Sequence, residues 1–158
     1  MIPESLKLLF ARRFGPLFAT LSLGALNDNL FKQVVVLAIM FRFAESAPFD
    51  PAAAATVAAA VFIAPFFLLS ASAGQIADAR PKARLIRHVK LAELGIMTVG
   101  AAGLLIGDVW ILLGALAAMG AQSAIFGPAK YASLPALLRP AELLTGNGIV
   151  QGVTFLTI

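Results

Sequence analysis

Four stretches of this chain are each long and apolar enough to leave water: about 14–43, 52–76, 85–106 and 109–126. A helix crossing the hydrocarbon core needs about 20 predominantly apolar residues. These runs meet that length or approach it, and together they occupy most of the chain. The composition agrees, at 60% hydrophobic and 13% charged, against about 45–50% and about 25% in soluble domains. The fold class that follows is an all-α polytopic membrane protein. A further apolar run, 143–158, stops short of a full span, so the chain reads as four complete helices and the start of a fifth, an N-terminal fragment of a longer bundle.

Polar segments between the runs set the organisation. Residues 1–13 read as an amphipathic cytoplasmic segment, with a helix over 3–13. Leu6, Leu9 and Phe10 form its oily side, while Lys7, Arg12 and Arg13 reach lipid headgroups. Residues 14–158 form the partial bundle. The first run, thirty residues at 1.5 Å each, is about 45 Å long, so it tilts, bends or emerges from the membrane. Pro128 is expected to end or kink the fourth span, leaving a connector with a short interfacial helix near Ala132–Leu138. Gly103 and Gly107 make a Gly-x-x-x-Gly pair of the kind that lets helix backbones approach in lipid, and Gly107-Asp108 reads as a tight turn.

Charge placement predicts orientation. Lys7, Arg12 and Arg13 precede the first span. Arg80, Lys82, Arg84, Arg87 and Lys90 lie between the second and third. Lys130 and Arg139 lie between the fourth and fifth. These are ten of the twelve bases. The intervening loops carry Glu45, Asp50 and Asp108. The positive-inside rule then puts the N-terminus and both basic connectors in the cytoplasm. Because the bases sit between oily segments and not on a polar face, the net charge of +4 gives no support to nucleic-acid binding. The absence of cysteine removes disulfides and thiolate metal sites. No cofactor motif is present, and no Ser-His-Asp set, His cluster or phosphate loop marks an enzyme.

Three constellations stand out. "GALNDNLFKQ" puts Asn27, Asp28, Asn29 and Lys32 inside an apolar run. An intramembrane carboxylate is costly and usually faces a bundle interior or an aqueous cavity. Asp28 and Lys32, one turn apart, share a face. They read either as a structural ion pair or as a polar site lining a translocation path. "GQIADARPKAR" carries Gly74, Asp78, Arg80, Lys82 and Arg84. Gly74 would let the end of the second span approach a neighbour, and the bases suit an ordinary positive-inside loop. "FGPAKYASLP" places Lys130 and Tyr131 at interface depth, as anchors or, for Lys130, as a contact for an anionic headgroup or the inner mouth of a cavity. Glu93 reads as a structural pair with Lys90 or Arg87. Trp110 and Phe49 read as interface-belt aromatics.

"GQIADARPKAR" resembles the signature between the second and third helices of major facilitator superfamily transporters. In that signature a Gly precedes an Asp by four positions and clustered Arg or Lys follow, with a Gly among them. Here Pro81 stands near where that Gly is usual. "GALNDNLFKQ", "FGPAKYASLP" and "ELLTGNG" are together similar to the bacterial lysophospholipid transporter family. They are also similar to the transporter portion of fusions with acyltransferase and acyl-carrier-protein synthetase domains. The resemblance implies a twelve-helix fold in two six-helix halves around an alternately opening cavity. It implies a bacterial inner-membrane transporter that moves lysophospholipid, chiefly lysophosphatidylethanolamine, to the cytoplasmic leaflet for reacylation by a fused or separate acyltransferase. On that resemblance Asn27, Asp28, Asn29, Lys32 and Lys130 belong to the substrate path. Gly74, Asp78, Arg80, Lys82 and Arg84 belong to a cytoplasmic gate that latches to the second half. The partners implied are the lysophospholipid, the second half, the acyltransferase or synthetase, and membrane lipids. The competing expectations are a drug or metabolite exporter of the same superfamily and a membrane scaffold for an acyltransferase.

Overall fold

The computed structural model describes residues 8–157. Five helices follow one another: α1 (Gly15–Phe41), α2 (Ala54–Ala79), α3 (Lys82–Ile106), α4 (Val109–Leu137) and α5 (Leu143–Leu156), with short 3-10 turns at Ala44–Ser46, Pro51–Ala53 and Pro140–Glu142. There is no strand among the described residues. Four helical segments, Gly15–Phe41, Pro51–Ala79, Lys82–Ile106 and Val109–Leu137, are long and apolar enough to cross a membrane. Most of the segment expected to be amphipathic lies outside the described residues. Within its visible part, Leu8 and Leu9 are helical and a turn over residues 12–14 leads into α1.

The chain divides into two compact units, one of residues 1–29 and 130–158 and one of residues 30–129. The larger unit takes its core from one face each of α1, α2 and α4. Phe31, Val35 and Ile39 recur every four residues along α1. Ala54 and Ala58 do the same on α2, and Leu112, Leu116 and Met119 complete the cluster from α4. This spacing puts each set on a single helical stripe. Small residues bring the helices close. A Cβ on Gly120 would run into the backbone carbonyl of Phe62, and one on Gly100 would sit 2.6 Å from the Phe31 ring. Half of the apolar window of α4 is buried, against 11% for α2, so α4 is an interior helix while α2 keeps most of its oily surface outward.

Two sequence expectations change here. Pro128 neither ends α4 nor sets off a separate interfacial helix, because α4 runs unbroken through Pro128 and Pro135 to Leu137. Proline removes one backbone bond. The remaining backbone bonds of α4 continue past both prolines, so the loss stays local. The Gly103/Gly107 pair is not a single packing surface. Gly103 fits against Ile111 and Leu112, whereas Gly107 is the left-handed cap of α3 at φ 80°, its N–H donating to the Gly103 carbonyl. Asp108 then opens α4, accepting from the N–H groups of Trp110 at 2.8 Å and Ile111 at 3.1 Å. Phe49 is partly buried against the core, while Trp110 is largely exposed.

In the smaller unit Phe14, Leu134 and Val150 are fully buried, with Leu21 and Leu138 nearly so. Gly146 admits Leu138 where a Cβ would collide with it. Arg13 donates to Glu142 at 2.6 Å, and the other Glu142 oxygen accepts from the Arg139 N–H at 2.8 Å. One carboxylate thus ties the start of α1 to the turn before α5.

Candidate functional site: polar groups at membrane depth

Asn27, Asp28 and Asn29 occupy the middle of α1 in the smaller unit, and all three are half-buried. Asn29 spends one amide hydrogen on its own helix, donating to the Ala25 carbonyl at 3.0 Å, as a polar side chain does when lipid offers no competing acceptor. Lys130, in α4, lies in the same unit. It is half-buried, with its Nζ 4.9 Å from the Tyr131 ring centre. That distance is a cation–π contact, and it orients the ammonium along the aromatic face.

Lys32 belongs to the larger unit, on the last part of α1. Its Nζ sits 6.0 Å from the Phe62 ring centre of α2. Phe62 in turn is tilted against Phe66, with 5.8 Å between centroids. Phe62, Ile63, Phe66, Phe67 and Ser70 line an open groove of about 430 Å³ on the outer side of α2.

The basic connector follows at the end of α2, also in the larger unit. Asp78 is exposed in the last turn, Arg80 is exposed just beyond the helix, and Arg84 is exposed at the start of α3. Lys82 folds back to donate to the Asp78 backbone carbonyl at 3.4 Å, and the Arg84 carbonyl meets His88 Nδ1 at 2.8 Å. Among the described residues no atom outside its own stretch of helix lies within 4 Å of where a Gly74 Cβ would stand, so no close neighbour meets it in this unit.

A polar cluster that the sequence only half disclosed joins α3 to α4. Lys90 pairs with Glu93 at 2.5 Å, which selects Lys90 over the exposed Arg87. The same Glu93 oxygen accepts from Gln122 Nε2 at 3.2 Å, and Gln122 Oε1 accepts from the Ser123 hydroxyl at 3.1 Å. Lys90 Nζ also lies 4.9 Å from the Phe126 ring centre. Gln122 is 6% exposed. Glu93 and its pairing with Lys90 or Arg87 were visible in sequence, whereas Gln122 and Ser123 were not. The available signal was a second amide-and-hydroxyl pair, Gln122-Ser123, inside another apolar run.

At the membrane edge, Glu142 is held below its ordinary carboxylate range. The largest cause is the Arg139 backbone N–H, opposed by some desolvation and reinforced by the Arg13 guanidinium and the Arg139 charge. No three His, Cys, Asp or Glu side chains converge to hold a metal among the described residues. Comparison with family models, curated proteins and solved structures returns no match.

Proposed function

We propose that the chain is part of a major facilitator superfamily secondary transporter that moves lysophospholipid across the bacterial inner membrane to the cytoplasmic leaflet. The observation that carries this reading is a half-buried carboxylate, Asp28, flanked by two half-buried amides midway along a helix able to span the membrane. Such a group in lipid is expensive unless it faces a wet interior or a partner. Transporters place their substrate groups near the midplane for the same reason. The lipid substrate comes from the motif resemblance. A lysophospholipid suits these groups, because its polar head needs a charged wet path while its single chain can remain in apolar surroundings.

In this reading Asn27, Asp28, Asn29 and Lys32 meet the headgroup, and Lys130 stands nearer the cytoplasmic mouth. Asp78, Arg80, Lys82 and Arg84, with Gly74, form the cytoplasmic gate. The N-terminus is cytoplasmic, and an acyltransferase consumes the delivered lipid.

The test uses cells that lack their own lysophospholipid transporter and carry the full chain or its Asp28→Asn variant. Labelled lysophosphatidylethanolamine is supplied outside, and its conversion to diacyl lipid is followed. Conversion with the wild type, and at least about a tenfold loss in the variant, is expected from the removal of a charge-assisted contact. No conversion with protein confirmed in the membrane contradicts the reading. Equal conversion in both reduces Asp28 to a packing residue.

A further inference from the structure

We infer that the outward stripe of α3 running from Arg84 and Arg87 to Leu91 and Leu94 is a binding site for an anionic phospholipid. The inference does not depend on the transport reading. The inner face of α3 fixes the register, because Leu85 and Val89 are buried against Ala77 and Ala129. Residues three and four apart share a helical face. That packing therefore turns Arg84, Arg87, Leu91 and Leu94 outward together, and all four are exposed. The neighbouring lysines are engaged elsewhere. Lys82 donates to the Asp78 backbone carbonyl, and Lys90 turns inward to Glu93 and the Phe126 ring. Arg84 and Arg87 are in no ion pair among the described residues, and their stripe contains no carboxylate.

The order of residues along the stripe selects the ligand. α3 is long and apolar enough to cross a membrane. Its 25 residues rise about 37 Å, against a hydrocarbon core of about 30 Å, so its first turn stands in the headgroup layer. Side chains lean toward the start of their helix, which carries both guanidinium groups out of the core on their apolar stems. Leu91 and Leu94 follow about 6 and 10 Å beyond Arg87, and they are 60% and 67% exposed. A ligand that matches this order is anionic at its head and apolar directly below it. An acidic protein surface meets the bases but leaves the leucines uncovered. A zwitterionic lipid brings its own cation to two arginines with no acid beside them. A net negative head, such as that of phosphatidylglycerol, brings only phosphate oxygens to accept from the guanidinium forks.

The experiment places the full chain in phosphatidylcholine vesicles. Two probes are compared at equal content, phosphatidylglycerol and phosphatidylcholine, each with a photoactivatable diazirine near the head of one chain. Adducts are mapped by mass spectrometry. At Leu91 and Leu94 the phosphatidylglycerol probe should exceed the other at least about fivefold, the factor expected from one base near the surface. Leu105 and Ile106, exposed at the far end of the same helix, should show no such excess. Arg87→Gln, which lies outside the proposed gate, should cut the excess about fivefold, and Arg87→Lys should keep most of it. Equal labelling by the two probes at Leu91 and Leu94 overturns the lipid assignment and leaves the bases to an acidic protein or to topology alone. The same excess at both ends of α3, or one that survives Arg84→Gln combined with Arg87→Gln, also overturns it.

Discussion

Glu93 is held between α3 and α4 because Lys90 and Gln122 share one of its oxygens. Both charged side chains are mostly covered, at 25% and 12% exposure. Removing one partner therefore strands the other, a loss of about 3 kcal/mol for well-buried pairs. Lys90→Met should destabilise the protein by up to about that amount, and Lys90→Met combined with Glu93→Leu should recover most of it. A double variant no more stable than the single one, measured by thermal unfolding in detergent, contradicts the clamp. Glu142 offers a pH test. Its carboxyl is held below the ordinary value of 4.5, so the folded state favours the ionised form. The stabilisation is complete above that value and is lost as pH falls through the lowered one. The melting difference between wild type and Glu142→Gln should thus be largest near neutrality and shrink in acid. A difference that stays constant across pH would rule out the Arg13–Glu142 contact as its source. At this scale the sequence disclosed neighbours in the chain and little more. Lys90 and Glu93 are three apart and meet on one helical face. Gln122 lies 29 residues from Glu93, and only the α3–α4 packing brings them together.

Glycine illustrates how the helices differ as elements. Gly120 and Gly74 both lie in helix interiors, where alanine is intrinsically better by about 1 kcal/mol. At Gly120 the new methyl meets the Phe62 backbone, which cannot swing aside, while Gly74 has open space. Gly120→Ala should therefore lower the melting temperature through overpacking worth about 1–3 kcal/mol, and Gly74→Ala should leave it unchanged or raise it. Equal effects from the two would contradict the close α2–α4 crossing. The lengths of the apolar runs made the first four helices legible, and Gly107-Asp108 marked the turn between α3 and α4. The reach of α4 was not legible. Pro128 reads as a breaker, but it removes a single backbone bond and the helix continues past it. The apolar lengths equally cannot say which helix is interior, because a buried helix and a lipid-facing one are both oily all round.

For the whole molecule, the distribution of bases predicts which ends of the spans face inward, and the chain's lack of cysteine gives a clean background for testing it. Ser46 and His88 are both exposed and fall on opposite sides under the proposed orientation. In intact cells a membrane-impermeant thiol reagent should label Ser46→Cys and spare His88→Cys until the membrane is opened. The reverse pattern would invert the topology. The central claim concerns α1: its polar segment lies on a wet path that a lysophospholipid enters. The most direct measurement is the labelling rate of Asn27→Cys, with Asp28 left in place, by a small water-soluble thiol reagent in the presence and absence of lysophosphatidylethanolamine. The account predicts that the site is labelled, that the lipid slows labelling several-fold, and that adding Asp28→Asn abolishes the protection. A thiol that never reacts, or one whose rate the lipid leaves unchanged, would contradict it.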